Sequence, residues 1–300
     1  MKKQDNEILL TIFTPAFNRA HTLPRTYKSL KNQDCKDFIW LIIDDGSKDN
    51  TKDLVNEWIR TETDFKIRYI YKENGGMHTA HNVAYRNVDT ALNVCIDSDD
   101  EMAEGAVRKI LQKWEDIRDQ NYAGIIALDR DMNTGNVIGK GFPEGLKDTT
   151  VSGYYAAGGS GDKKLIYRTD IIRQYPEYPV FEGEKYFSLA YKYRLIDQDY
   201  KLAVLDDVVC NVEYQTDGSS NTMIHQYYKN PKGFAYWRKI RMQYPDSCKR
   251  VFIDCIHYAA ESRLAGNKHY ILESPKKLMT ILAVPAGILL EAYIKRNNRL

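Results

Sequence analysis

Three carboxylates, Asp97, Asp99 and Asp100, fall within four residues directly behind a short apolar run at 93–96. Such a run reads as a buried strand, and charge this dense cannot be carried into a core, so the aspartates must stand at the strand's open end. Carboxylate oxygens are the ligands that hard divalent cations prefer. Mg²⁺ or Mn²⁺ held by one or two of them completes its shell with water and substrate phosphates, so the chemistry on offer is a metal-diphosphate site. The competing use is an acidic cap, with Asp99 or Asp100 at the start of a helix that begins near Met102 and carries Val107, Ile110, Leu111 and Trp114. A second pair, Asp44 and Asp45, has the same layout: an apolar run at 38–43 before it, and Gly46, Ser47, Asp49, Asn50 and Thr51 behind it. A third polar stretch, Asn74, Gly75 and Gly76, precedes a helical pattern containing His81. Glycines before a helix allow its free N–H groups to approach an anion closely.

These clusters need strands and helices to position them. The apolar run 8–13 reads as a buried strand that stops at Thr14-Pro15, since proline supplies no ladder donor. Leu23, Tyr27 and Leu30 then recur at helical spacing, and Leu54, Val55, Trp58 and Ile59 mark a second helix. Further strands are expected at 66–71, at 123–128 and around 165–167. Continuously apolar strands alternating with helices predict a parallel sheet covered on both faces, with ligands beyond the carboxyl ends of its strands. All three polar clusters fall at such ends. From 129 to 161 the regularity breaks down into loops with room for an edge hairpin. Residues 184–196 pattern as a helix presenting Phe187, Tyr191 and Leu195, residues 201–212 as one or two strands, and 217–221 as a loop. The remainder reads as mostly helical, with Tyr227, Tyr228, Phe234, Tyr236 and Trp237 supplying aromatic bulk.

At 300 residues the chain suits one large α/β domain with an appendage, and its formal charge of +2 argues against a dedicated nucleic-acid binder. Cys35, Cys95, Cys210, Cys248 and Cys255 include no C-x-x-C pair, so reduced thiols in a cytoplasmic setting are expected. No secretory leader is expected, because the first apolar run is too short. Residues 278–290 are almost wholly apolar, contain Pro285, and are flanked by Lys276, Lys277, Lys295 and Arg296. A spanning helix needs about 20 apolar residues, which this core lacks, so the tail 275–300 is expected to lie on a membrane surface. Its alternative is a helix packed on the domain or against a partner. The expected divisions are 1–215, a mostly helical 216–274, and the tail.

With these motifs in order, the first half of the chain resembles family 2 glycosyltransferases of the GT-A fold, a Rossmann-like α/β arrangement with a mostly parallel sheet and here a helical C-terminal extension. The resemblance rests on Thr14-Pro15-Ala16-Phe17-Asn18, on Asp44-Asp45-Gly46-Ser47 with Asp49 and Thr51, on Asn74-Gly75-Gly76, and on Asp97-Ser98-Asp99. It covers about 8–130, and the order of four motifs makes it far more specific than any one. It implies a nucleotide-diphosphate sugar donor, a divalent metal (Mn²⁺ or Mg²⁺) and inversion at the anomeric carbon. By position, Thr14, Pro15 and Asn18 would line the nucleoside pocket; Asp45, or alternatively Asp44, would accept from the base, taken as uracil. Asn74, Gly75 and Gly76 would approach the diphosphate, Asp97 with Ser98 the ribose, and Asp99, or alternatively Asp100, the metal. Many members carry an arginine where this chain has His81, which therefore either touches the diphosphate or packs.

The resemblance also asks for an acidic base at the start of a helix, and Glu184 aligns there, with Glu182 and Asp148 as alternatives. Such a base takes the acceptor hydroxyl's proton as its oxygen attacks. The Q-x-x-R-W pattern and the several long spans of processive members are missing, so one sugar is added per event. The acceptor implied is a saccharide, lipid-linked in a bacterial surface polymer, reached from the inner face of the plasma membrane. The other classes in view are a silent nucleotide-sugar-binding or scaffolding protein at the membrane, and a nucleotidyltransferase, for which the glycine- and basic-rich loop after the first strand is missing.

Overall fold

The structure is a computed structural model that describes residues 8–213, 223–245 and 247–298. The loop expected at 217–221 lies outside the described residues. Two compact units divide the chain. Met1–Asn74, Thr79–Glu177 and Leu195–Tyr214 make up the first, and Gly75–His78, Tyr178–Arg194 and Gln215–Leu300 the second.

In chain order the elements begin with β1 (Leu10–Ala16), α1 (Leu23–Lys31), β2 (Phe38–Asp44), α2 (Thr51–Thr61), β3 (Lys66–Tyr71), α3 (Met77–Asn87), β4 (Leu92–Cys95) and β5 (Glu101–Met102). They continue through α4 (Ala106–Ile117), β6 (Tyr122–Asp131), β7 (Asp148–Thr149), α5 (Val151–Ala156), β8 (Lys163–Arg168), α6 (Thr169–Ile172), α7 (Ala190–Ile196) and β9 (Lys201–Val212). Five helices close the chain: α8 (Met223–Lys229), α9 (Pro231–Gln243), α10 (Cys248–Leu264), α11 (Tyr270–Glu273) and α12 (Lys277–Asn297).

The first unit is built on one sheet of order β3-β2-β1-β4-β8-β6-β9-β5, with β7 paired to β9. Every residue of β1 and β2 is buried, which requires cover on both faces and explains their uninterrupted apolar sequence. Trp58 of α2 stacks on Tyr27 of α1, with ring centroids 4.5 Å apart, and lies beside Trp40 of β2. The sheet is mixed rather than wholly parallel. Strands β1 to β4, β6 and β9 run one way, while β5, β7 and β8 run against them.

Several sequence expectations need correction. Strand β1 passes through Thr14 and Pro15 to Ala16 instead of stopping. The Phe13 carbonyl takes the N–H of Ile96, so Pro15, two residues on, faces the same side, where β4 has already ended and no donor is missed. The helix expected from Glu184 begins only at Ala190. The N–H groups of Lys185 and Tyr186 donate instead to Asn230 Oδ1, at 2.8 and 3.0 Å, which holds that segment out of a helix. The irregular stretch contains the end of β6, β7 and the short helix α5, whose Thr150 hydroxyl accepts from the Gly153 N–H. Residues 201–212 form a single strand, β9, whose pairing with β6 shifts register three times.

The second unit is helical, with α8 to α12 around Met242, Val251, Cys255, Tyr258, Ala259 and Ala283. Buried charges cross it: Arg238 lies 3.2 Å from Glu261 and 3.3 Å from Asp254, and Arg241 lies 3.2 Å from Asp254. Helix α12 is longer than the apolar run suggested: it is one 21-residue helix with Pro285 inside it, long and apolar enough by length and composition to cross a membrane. One face, Thr280, Ala283, Gly287, Glu291 and Ile294, is buried, and Glu291 pairs with Arg263 of α10 at 2.6 Å. The opposite face leaves Leu278 79%, Leu282 73% and Leu289 72% exposed.

Candidate active site

In the first unit the loops after β1 and β2 are laced together. The Asn18 N–H donates to Ser47 Oγ at 2.8 Å, and Asn18 Oδ1 accepts from the Lys48 N–H at 2.8 Å. One position further, the Ala20 N–H donates to Asp49 Oδ2 at 3.0 Å and the Arg19 N–H to Thr51 Oγ1 at 3.1 Å. Asp49 also accepts from the Thr51 N–H and hydroxyl, and these donors hold its carboxyl below the usual range despite some burial. Asn18 itself sits in the left-handed region at φ 55°, which asparagine tolerates better than most side chains. Gly46, at φ 85°, brings its Cα against the next strand's connection: a Cβ there would lie 2.7 Å from the Asn74 N.

The polar residues after β1 and β2 also shape these loops. The Thr14 hydroxyl is fully buried and accepts from the Trp40 indole N–H at 3.0 Å. Asp44 is buried, accepting from the Ser47 N–H at 2.7 Å and from the Tyr69 hydroxyl. Asp45 pairs with Lys72, and Asn74 donates to the Asp45 carbonyl at 2.8 Å and to its carboxylate at 3.2 Å. His81 packs: it is buried, meets Phe13 edge-on, and has Tyr85 Oη 3.2 Å from Nδ1 and Cys95 Sγ 3.7 Å from Nε2. Both ring nitrogens thus have side chains of its own unit within 3.7 Å.

The acidic stretch after β4 behaves differently. Asp97 and Asp99 are half-buried, whereas Ser98 and Asp100 are buried. Burial and then the neighbouring Asp97 charge push the Asp99 carboxyl upward, with Arg19 offsetting part of this. Two carboxylates that repel each other at a strand's open end, only partly neutralised, suit a divalent cation that keeps its remaining ligands as water or phosphate. Among the described residues no group of three or more His, Cys, Asp or Glu side chains is arranged to hold a metal ion by itself.

Asp100 faces inward. Its Oδ1 accepts from the Glu213 N–H at 3.3 Å, and the Lys164 ammonium lies 3.9 Å from Oδ2. Burial pushes its carboxyl up to about 7, with Lys164 acting against the rise. Helix α1 steadies this stretch: Arg25 donates to the Asp99 carbonyl, Thr26 Oγ1 to the Asp100 carbonyl at 2.8 Å, and Ser29 Oγ accepts from the Met102 N–H at 3.0 Å. Sequence reading missed Arg25, Thr26, Ser29 and Lys164, although three of the four share one face of a helix already expected.

Gly75, Gly76 and Glu184 belong to the second unit. Gly76, at φ 93°, lies so close to the Lys185 carbonyl that any Cβ would collide with it. The Glu184 carboxylate accepts from the N–H groups of Lys232 and Gly233, both at 2.8 Å, in the first turn of α9. It thus satisfies two of that helix's orphan donors, and burial holds its carboxyl above the ordinary value. A cavity of about 880 Å³ in this unit is lined by His78, Lys185, Tyr186, Phe187, Gln226 and Asn230 among others. Of the alternatives, Glu182 is exposed, and Asp148, in the first unit, pairs with Lys201 at 2.8 Å.

The Glycosyl transferase family 2 model matches residues 11–175, more than half of the chain and the whole laced region. The chain belongs to glycosyl transferase family 2. It is 35% identical over 126 residues to the teichoic acid poly(glycerol phosphate) polymerase of Staphylococcus epidermidis, covering 42% of this chain and 17% of that protein. It is 27% identical over 168 residues to the GalNAc(5)-diNAcBac-PP-undecaprenol beta-1,3-glucosyltransferase of Campylobacter jejuni, covering 54% of this chain and 52% of that protein. The chain thus spans about half or less of the length of these curated relatives. Among solved structures, S. aureus TarS 1–349 with UDP-GlcNAc superposes with a TM-score of 0.59 at 14% identity, covering 96% of this chain and 92% of that one. The mannosyltransferase PcManGT of Pyrobaculum calidifontis, with GDP-Man and Mn2+, gives 0.54 at 16% identity, covering 97% and 76%. At these identities the two structures establish the fold, a mixed GT-A sheet with a helical extension.

The lacing makes a testable statement about the two loops. In Asp49→Ala the amides of Ala20 and Thr51 lose their acceptor, and their hydrogen exchange should accelerate by about tenfold. Exchange of these two amides at the wild-type rate would show that the loops hold without Asp49.

Proposed function

We propose that the protein is an inverting glycosyltransferase that moves one sugar from a UDP-sugar to a saccharide acceptor. The observation that carries this reading is the pair Asp97 and Asp99, set half-exposed at the open end of β4 within a stretch matched by the family 2 model. Its support includes the UDP-GlcNAc and GDP-Man named with the two structures of the same fold. On this reading Asn18 and Asp45 flank the nucleoside, Asp97 approaches the ribose, and Asp99 holds a divalent cation, Mn²⁺ or Mg²⁺. The cation supplies neutralisation of the charge that gathers on the diphosphate as it leaves. Asp100, turned toward Lys164, takes no part in holding it.

Glu184 is proposed as the base. It takes the proton of the acceptor hydroxyl while that oxygen bonds to the anomeric carbon and the bond to the diphosphate breaks on the opposite face. A carboxyl raised by burial is better matched to this task than an ordinary glutamate, and each of its oxygens keeps a lone pair beyond the bond it accepts from α9. The name of the Campylobacter relative supports a lipid-linked saccharide as acceptor. Helix α12 supports attachment to the cytoplasmic membrane surface: its exposed leucines form an apolar face, and Lys276, Lys277 and Arg296 lie at its ends. The packing of its other face against α10, through Gly287 beside Ala259 and Glu291 beside Arg263, supports a helix lying on the bilayer over one crossing it.

Calorimetric titration with UDP tests the donor assignment: binding should require Mn²⁺, vanish with EDTA and fall by about two orders of magnitude in Asp99→Asn. Equal binding of UDP in EDTA would remove the metal from the reading, and no binding at all would favour a silent scaffold.

The two uses of Glu184 separate by substitution. Glu184→Gln should keep UDP binding and lose transfer by about 10²-fold or more, whereas Glu184→Ala should in addition melt earlier through loss of the α9 cap. In the wild type, transfer should fall as pH drops through the raised carboxyl pKa, above the usual glutamate value of about 4.3, since the base must be ionised. A Gln variant that transfers normally would leave Glu184 a helix cap only.

For α12, replacing Leu278, Leu282 and Leu289 by Ser removes exposed side chains without touching the packed face. Binding to vesicles of anionic phospholipid should weaken by more than about tenfold while the melting temperature stays put. Retained binding would reject the membrane-surface role.

A further inference from the structure

Within the first unit, β8 lies between β4 and β6 and runs against both. A strand that runs with its neighbours begins at the far edge of the sheet; β8 begins at the edge where β4 and β6 end. Its second residue is Lys164, paired with Ala127 of β6. The side chain is 13% exposed, and its ammonium stands 3.9 Å from Asp100 Oδ2 and 4.0 Å from Asp129 Oδ1. These distances are too long for direct hydrogen bonds and short enough for charge compensation in a site shielded from water. Asp129 Oδ1 is buried and has no hydrogen-bond partner among the described residues.

We propose that Lys164 is a positioning residue for donor binding: its ammonium clamps Asp100 inward, so that the 97–100 turn presents Asp97 and Asp99 and keeps Asp100 out of the ligand set. The proposal rests on the assignment of Asp99 to the donor's metal. The rest of Asp100 is already committed. Its N–H donates to the Asp97 carbonyl at 3.0 Å, its carbonyl accepts from Thr26, and its Oδ1 accepts from Glu213. Only Oδ2 looks toward Lys164, with the Cys210 thiol 3.7 Å away. Remove the ammonium and two carboxylates share a buried space with no cation. Turning Asp100 toward water relieves this, breaks these bonds and brings a third carboxylate up beside Asp97 and Asp99.

Two variants and two readouts test this. Lys164→Met leaves the buried carboxylates unbalanced, and Lys164→Met combined with Asp129→Asn restores the original net charge of the cluster. The double variant should recover the thermal stability lost in the single one, yet still bind UDP with Mn²⁺ at least about tenfold more weakly than wild type, because Asp100 is no longer clamped. The second readout needs no nucleotide: exchange of the Asp100 and Met102 amides should accelerate by about tenfold in the double variant and stay slow in Asp129→Asn alone. Unchanged exchange in the double variant overturns the clamp, as does wild-type UDP affinity in either Lys164 variant. Failure of wild-type protein to bind UDP speaks against the donor assignment and leaves the exchange test standing.

Discussion

Carboxylates gathered at one edge of a sheet repel each other and resist burial, and the first unit is arranged to contain that cost. Asp44, Asp45, Asp97, Asp99 and Asp100 emerge from the ends of strands that run the same way as β6, within which Asp129 lies near the end. Each is met differently. Asp44 is absorbed by a turn N–H and the Tyr69 hydroxyl, and Asp45 by Lys72. Asp100 and Asp129 face an ammonium delivered by the strand that runs backward. Asp97 and Asp99 are left partly open. Of these carboxylates the pair after β4 is the least compensated within the fold, so that edge is shaped as much by what its neighbours neutralise as by its own residues.

The same edge shows how far sequence could be trusted. Buried strands at 8–13 and 38–43 were legible because a doubly covered sheet accounts for such apolar runs, whereas the strand at 66–71 is present but lies at the sheet's edge and is only partly buried, against the expectation of cover on both faces. The acidic clusters were legible as strand-end features for the same reason. Their individual duties were not. Thr14, Asp44 and Asn18 sit inside motifs that suggest ligand contact, and each also makes a hydrogen bond within the fold that laces a loop or satisfies a tryptophan, a duty the motif alone does not announce. A motif records which residues must be present and not which of them touches the ligand.

Long-range partners were the least readable part. Lys164 is 64 residues from Asp100, and nothing local marks it as a counter-ion; only the antiparallel placement of β8 does. Asn230 likewise decides that Lys185 and Tyr186 are not helical, overruling a helical pattern 45 residues earlier. Pro15 was misread for a different reason: a proline ends a strand only where its missing N–H would have found a partner, and β4 had already departed.

The buried charges of α9 and α10 carry a consequence for inheritance. Arg238 lies 3.3 Å from Asp254 and 3.2 Å from Glu261, and all three are almost wholly out of water. Changing one strands the others as uncompensated buried charges, at a cost of about 3–5 kcal/mol, whereas exchanging all of them for well-packed apolar residues can be neutral or better. A lineage cannot walk from one solution to the other one substitution at a time without crossing an unstable intermediate. Such a barrier in the route between sequences would hold these positions even where catalysis places no demand on them.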